Sequence, residues 1–201
     1  MPVIPPAVTA CLLTVFFPKM MFGYTSPSGL FSVFAQQSLD TAAKSSAQWL
    51  MEGSVSPYSY FEIFLGVDPG PIGASLIALC LCGLVYLSLR KSINTIAVLT
   101  FIAECAIMAG AFPRGDYSAF ESIASELTSG SLIFCGIFFI GDKYTSPKHA
   151  IPSAIYGIVA ATLCMLTRYI GMYEQTAWFV VVLMCLISPL LEDVIWKIFK
   201  A

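Results

Sequence analysis

Apolar residues in this chain fall into long runs separated by short polar breaks. Six runs stand out, near 7–23, 71–89, 94–112, 127–141, 151–169 and 176–195. A bilayer core about 30 Å thick needs ~20 apolar residues in helical form. Backbone polar groups in lipid must be satisfied within the segment, which makes helices the default. The alternation of a membrane barrel is absent. The pattern therefore predicts an all-α membrane protein with about six apolar segments. Two of the runs are short and interrupted. The first is preceded by Pro2, Pro5 and Pro6 and closed by Pro18 and Lys19; the fourth opens on Ser129-Gly130-Ser131 and stops at Gly141-Asp142. Short runs bounded by Pro and Gly suggest half-helices lining a cavity, with tilted short spans as the alternative.

Composition narrows the class. Hydrophobic residues make up 58% of the chain and charged residues 11%, and mean hydropathy is +0.83. A soluble domain carries about 25% charge, so a soluble enzyme is excluded, and so is disorder. A net charge of −2 and a single histidine, His149, leave no basic face for nucleic acid.

Charge sets an expected orientation. With every segment crossing, Arg90, Lys91, Lys143, Lys148, Lys197 and Lys200 share one side, which the positive-inside rule makes cytoplasmic. Lys44, Arg114 and Arg168 share the other side with Asp40, Glu52, Glu62, Asp68, Asp116, Glu121, Glu126 and Glu174. The stretch 24–70 and the connection 113–126 then face outward. The organisation expected is an N-terminal membrane or re-entrant segment at 1–23, an extracytoplasmic segment at 24–70, and a helix bundle at 71–201. No basic region or small-residue cleavage site marks a signal peptide.

The outer stretch carries turn signals at Ser26-Pro27-Ser28-Gly29, Gly53-Ser54, Ser56-Pro57 and Asp68-Pro69-Gly70. Between them, Leu30 to Met51 reads as an interfacial amphipathic helix anchored by Phe31, Phe34, Trp49 and Leu50. Tyr58, Tyr60, Phe61 and Phe64 read as an aromatic belt. All seven cysteines lie in apolar segments, and Cys80 and Cys82 do not have iron–sulfur or zinc spacing, so they read as packing residues. Glu104 is an acid in the middle of an apolar run, which makes it a functional candidate or a contact to a neighbouring protein. Glu192, Asp193 and Arg168 lie near segment ends, where snorkelling explains them.

Several stretches resemble one family. It contains RnfD, from the membrane part of the Rnf ferredoxin:NAD oxidoreductase, and NqrB, from the membrane part of the sodium-pumping NADH:quinone reductase. The fourth run, from Leu127 through Ser129-Gly130 to Asp142 and Thr145-Ser146-Pro147, is similar to the family's Ser-Gly-Gly, Phe-rich run and Asp-Pro-Val-Thr-Ser-Pro, with Lys143 in place of a proline. Tyr156-Gly157 and Arg168, Gly171 and Tyr173 resemble its Tyr-Gly and Arg-x-x-Gly-x-Tyr. Pro189-Leu190-Leu191-Glu192 resembles its closing Pro-Leu-Ile-Asp, and Cys185 stands where the family has asparagine. Leu65-Gly66 to Gly73 resembles Leu-Gly-x-x-x-Gly-Ser-Ile-Gly, with Ala74 replacing a glutamate. Pro6-Ala7 through Phe16-Phe17-Pro18 resembles an Asn-Pro-Ala…Phe-Pro segment.

The resemblance implies a fold, a cofactor and partners. The family has roughly ten membrane segments in two repeats of a urea-transporter-like fold, with sites at the repeat interface. This chain matches the C-terminal half, one repeat. That implies a separate N-terminal-half chain or a homodimer, besides other subunits of a membrane redox complex and the lipid itself. The family carries covalent FMN on the last hydroxyl of a Ser/Thr-Gly-Ala-Thr/Ser motif. Counting from Asp40 places Ser46 at that acceptor position, with Lys44-Ser45 where Gly-Ala stands. The expected function is a membrane subunit of a flavin-based electron-transfer complex in the cell membrane, coupled to Na⁺ or H⁺ movement through Glu104 and Glu192. Two alternatives stay open: a channel or permease for a small solute, and a cofactor-free structural or assembly subunit.

Overall fold

The computed structural model describes residues 4–17, 24–25, 42–54, 56–70, 74–114, 117–171 and 176–200. Of the helix predicted at 30–51, residues 30–41 lie outside them, and the described part corrects the expectation: Ala42–Ala43 is paired as a strand and a helix begins only at Ser46. Among the described residues, the regular elements are helices apart from a two-residue antiparallel pairing of β1 (Tyr24–Thr25) with β2 (Ala42–Ala43). The helices are α1 (Pro5–Phe16), α2 (Ser46–Met51), α3 (Tyr60–Phe64), α4 (Ile77–Leu89) and α5 (Thr95–Ala111). They continue with α6 (Ala119–Thr128), α7 (Leu132–Cys135, extended by a π turn Gly136–Ile140), α8 (Ala150–Gly171) and α9 (Ala177–Lys200).

Each predicted apolar run contains a helix, and the connection 113–126 differs from expectation. Its second half is α6, which starts on a capping box: Ser118 accepts from the Glu121 amide, and Glu121 accepts from the Ser118 amide. α6 and the α7 arm are bent by 65° about Ser129-Gly130-Ser131, a pair long and apolar enough to span a membrane only if taken together. Gly130 sits just past the end of α6 with φ +71°, the left-handed position that ends a helix and that glycine occupies without a Cβ clash. Among the described residues, Ala150–Ile170 is the one unbroken helix long and apolar enough to cross a membrane by itself.

α5 and α8 form the central pair, with α9, α7 and α1 completing the core. Their seam depends on small residues, as expected where lipid gives no hydrophobic drive between helices. A Cβ on Gly157 would land on the Thr100 hydroxyl and within 2.5 Å of the Ala97 carbonyl oxygen. Ala97, Ala160 and Ala161 are fully buried beside this contact. Leu79, Val85, Tyr86, Leu89, Ile107 and Ile170 point outward, an apolar surface that suits lipid and not water.

The loops after α4 and α7 meet at one end of the bundle, called here the basic end. Ile93 bridges Asp142, and Lys143 Nζ donates to the Lys91 carbonyl at 3.3 Å. Asn94 caps α5 and donates through Nδ2 to Ser153 Oγ at 2.7 Å, the Pro147 carbonyl at 2.9 Å and Ser146 Oγ at 3.1 Å. The opposite end is covered by α2 and α3, which pack on α6, and is called the cap end.

Candidate functional site

Charge is concentrated below the surface of the cap end. Glu126 on α6 is fully buried, and Arg168 in the last turn of α8 is 2% exposed. Arg114, just after α5, places Nε 2.8 Å from Glu126 Oε1, and Arg168 places Nε 3.1 Å from Glu126 Oε2. The guanidinium of Arg168 also donates to the Glu126 carbonyl at 3.2 Å, the Ser129 carbonyl at 3.3 Å and the Ser129 hydroxyl. Arg114 donates to the Arg168 carbonyl at 3.0 Å and lies 4.4 Å from the Tyr169 ring centre. Tyr169 in turn donates to the Phe112 carbonyl at 2.9 Å.

Two arginines thus face one carboxylate, and the balance comes from the helices. Each arginine caps the carbonyls at a helix C-terminus, α6 for Arg168 and α8 for Arg114. Such a terminus carries about half a negative charge. Two C-termini and one carboxylate offset two guanidiniums without any added ion. The bend after α6 is the reason for this arrangement: a helix that stops inside the bundle leaves buried carbonyls, and those carbonyls need donors. Arg168 does not snorkel, contrary to its expected place at the interface; it is an internal cap.

Above this cluster lies a cavity of about 280 Å³, lined by Ser46, Leu50, Tyr58, Tyr60, Ile63 and Tyr117, with Ser125 and Ser129 on the α6 side. Ser46 begins α2. Ser45 caps that helix, its hydroxyl accepting from the Gln48 amide while Gln48 Oε1 accepts from the Ser45 amide. The Ser46 amide donates to both oxygens of Asp68, at 3.0 and 3.2 Å, and the Ser46 hydroxyl donates to Asp68 Oδ2. Both residues are buried, Ser46 at 3% and Asp68 at 7% exposure. Burial pushes the Asp68 carboxyl above its ordinary range, and the Ser46 hydrogen bonds oppose that only in part.

The candidate residues do not gather in one place. Ser46 lies at the cap end. Glu104 is half-buried midway along α5 and makes no ion pair among the described residues. Glu192 on α9 accepts from the Lys148 amide at 3.3 Å, at the basic end. Cys80, Cys105, Cys135, Cys164 and Cys185 are buried within the helices, and no group of His, Cys, Asp or Glu among the described residues has metal-binding geometry. Sequence reasoning missed Asp68 and the Arg114–Glu126 pair. Asp68 reads as part of an Asp-Pro-Gly turn, and its pairing with a serine 22 positions away leaves no local signal.

The apolar outward face, the small-residue seam and the internally capped helix ends of this predominantly helical structure are consistent with an integral membrane protein. The family model described as NQR2, RnfD, RnfE matches residues 2–199, and the chain belongs to that family. Among relatives, it is 27% identical over 128 residues to the D subunit of the ion-translocating oxidoreductase complex of Halorhodospira halophila, a match covering 64% of this chain and 36% of that protein. It is 26% identical over 133 residues to the D subunit of the proton-translocating ferredoxin:NAD(+) oxidoreductase complex of Clostridium ljungdahlii, covering 66% of this chain and 40% of that protein. The matched region is thus about two fifths of the length of these relatives.

Proposed function

We propose that this chain is a membrane subunit of a flavin-based electron-transfer complex of the Rnf or NADH:quinone reductase type, holding partner subunits in place across the membrane. One observation carries the reading: the family motifs coincide with the contacts that build the bundle. Ser129-Gly130 makes the bend after α6. Ser146-Pro147 receives Asn94. Gly157 sets the α5–α8 seam, and Arg168 caps α6. The similarity therefore rests on architecture, and a urea-transporter-like repeat at 71–201 is the fold it supports. Arg90, Lys91, Lys143 and Lys148 at the basic end favour that end as cytoplasmic, with 24–70 extracytoplasmic.

Within this reading Glu104, at mid-depth, and Glu192, at the basic end, are the carboxylates placed to serve a Na⁺ or H⁺ path. Partner subunits, whether a separate N-terminal-half chain or a second copy, complete the repeat pair. By position Ser46 corresponds to the residue that carries covalent FMN in the family it resembles. Its surroundings do not suit a phosphoester, because the hydroxyl is buried against a carboxylate. The cavity beside it, about 280 Å³, also falls just below the ~300–1,000 Å³ range of small-molecule pockets.

The 65° break in α6–α7 favours a second reading, a channel or permease using half-helices. Against it, Arg168 occupies the carbonyls that a solute path would leave open. Affinity purification of the tagged chain from native membranes tests the first reading. Co-purification with flavoprotein or iron–sulfur subunits is expected. A chain that purifies alone, and that conducts a small solute in proteoliposomes, supports the second.

A further inference from the structure

The pairing of Ser46 with Asp68 does not match the role that the acceptor position implies. Three features bear on it. First, Asp68 takes both the amide and the hydroxyl of Ser46. The carboxylate thus acts as a distant cap on the first turn of α2, where amides lack helical partners. Second, the residues before Ser46 are committed to the same helix start. Ser45 is its N-cap in a capping box with Gln48, and Lys44 pairs with Glu52 at 2.8 Å. A flexible Gly-Ala approach to the hydroxyl is replaced by a closed turn. Third, Ser46 is 3% exposed, so a modifying enzyme cannot reach it without opening the cap.

We propose that Ser46 is a latch and not an ester acceptor: its hydroxyl and amide pin α2 to Asp68, closing the cap over the cavity, and the chain carries no covalent flavin there. Ester formation from FAD would join Ser46 Oγ to the FMN phosphorus as the pyrophosphate bond breaks and AMP leaves, and it would remove the hydroxyl proton that Ser46 now donates in its hydrogen bond to Asp68. It would also set an anionic phosphate against the buried carboxylate, in surroundings where like charges repel strongly. The alternative, that Asp68 primes the hydroxyl for transfer by accepting its proton, uses the same hydrogen bond and makes the opposite prediction.

The proposal holds whether or not the chain works in a redox complex, so its test is separate from co-purification. The full-length chain is produced together with a flavinyl transferase and FAD, and the peptide spanning Ser46 is examined by mass spectrometry. An unmodified peptide is expected, and FMN on Ser46 overturns the latch. In parallel, unfolding temperatures in detergent are compared for wild type, Ser46→Ala, Asp68→Ala and the double variant. The latch predicts that each single change lowers the midpoint by a few degrees and that the double change adds little, because both remove one interaction. Fully additive losses, or no loss in either single variant, overturn it.

Discussion

At the basic end, Asn94 closes two loops with neutral hydrogen bonds; at the cap end, Arg114 and Arg168 close two helices with charge. The difference follows from where the backbone breaks. The basic-end loops leave the bundle in turns, and one amide side chain at a helix start can reach them. α6 instead stops within the bundle, and its carbonyls face inward, where only a long donor from another helix arrives. The charge of that donor must then be balanced on the spot, which is what Glu126 does. A neutral cap can be weakened piecemeal, whereas a buried charge cluster fails as a unit.

The largest effect is therefore expected at Glu126. Glu126→Gln leaves two guanidiniums without their carboxylate and should cost about 3–5 kcal/mol, read as a steep loss of folded protein in detergent. Asn94→Ala removes one side chain from a network whose hydroxyls can partly re-pair, and should cost about 1–3 kcal/mol. Thermal unfolding of both variants side by side checks the contrast, and equal losses would break it.

Asp68 gives a smaller effect with a defined sign. Its carboxyl is raised by burial, so the folded state binds the proton more tightly than the unfolded chain. Stability should fall as pH rises from the ordinary carboxylate range through the raised value, then level off. Unfolding midpoints across that range should show the slope in wild type and lose it in Asp68→Asn. The smallest effect is expected for Lys44→Ala. This removes an ion pair whose side chains are 48% exposed, worth about 0.2–1 kcal/mol and reduced by salt. A loss there as large as that at Glu126 would show that burial does not separate the two pairs.

Much of the helix layout was legible because apolar runs fix it. α5, α8 and α9 fall on the runs at 94–112, 151–169 and 176–195. The start of α6 was also written locally, in Ser118 followed by Glu121, but the charges of 113–126 pointed to a connection. The cap-end cluster was not legible. Arg168 reaches Glu126 across 42 positions, and only the bend after α6 brings them together. In the sequence, Arg168 looks like any basic residue at a helix end. Ser46 was legible as a position and not as an environment, since Asp68 arrives from a separate turn.

The most direct test of the redox-complex account is electron transfer in native membranes. Deleting the coding sequence should abolish NADH- or ferredoxin-driven electron transfer in membrane vesicles, and the wild-type chain should restore it. Unchanged electron transfer in the deletion strain, with solute flux through the purified chain in proteoliposomes, would contradict the account.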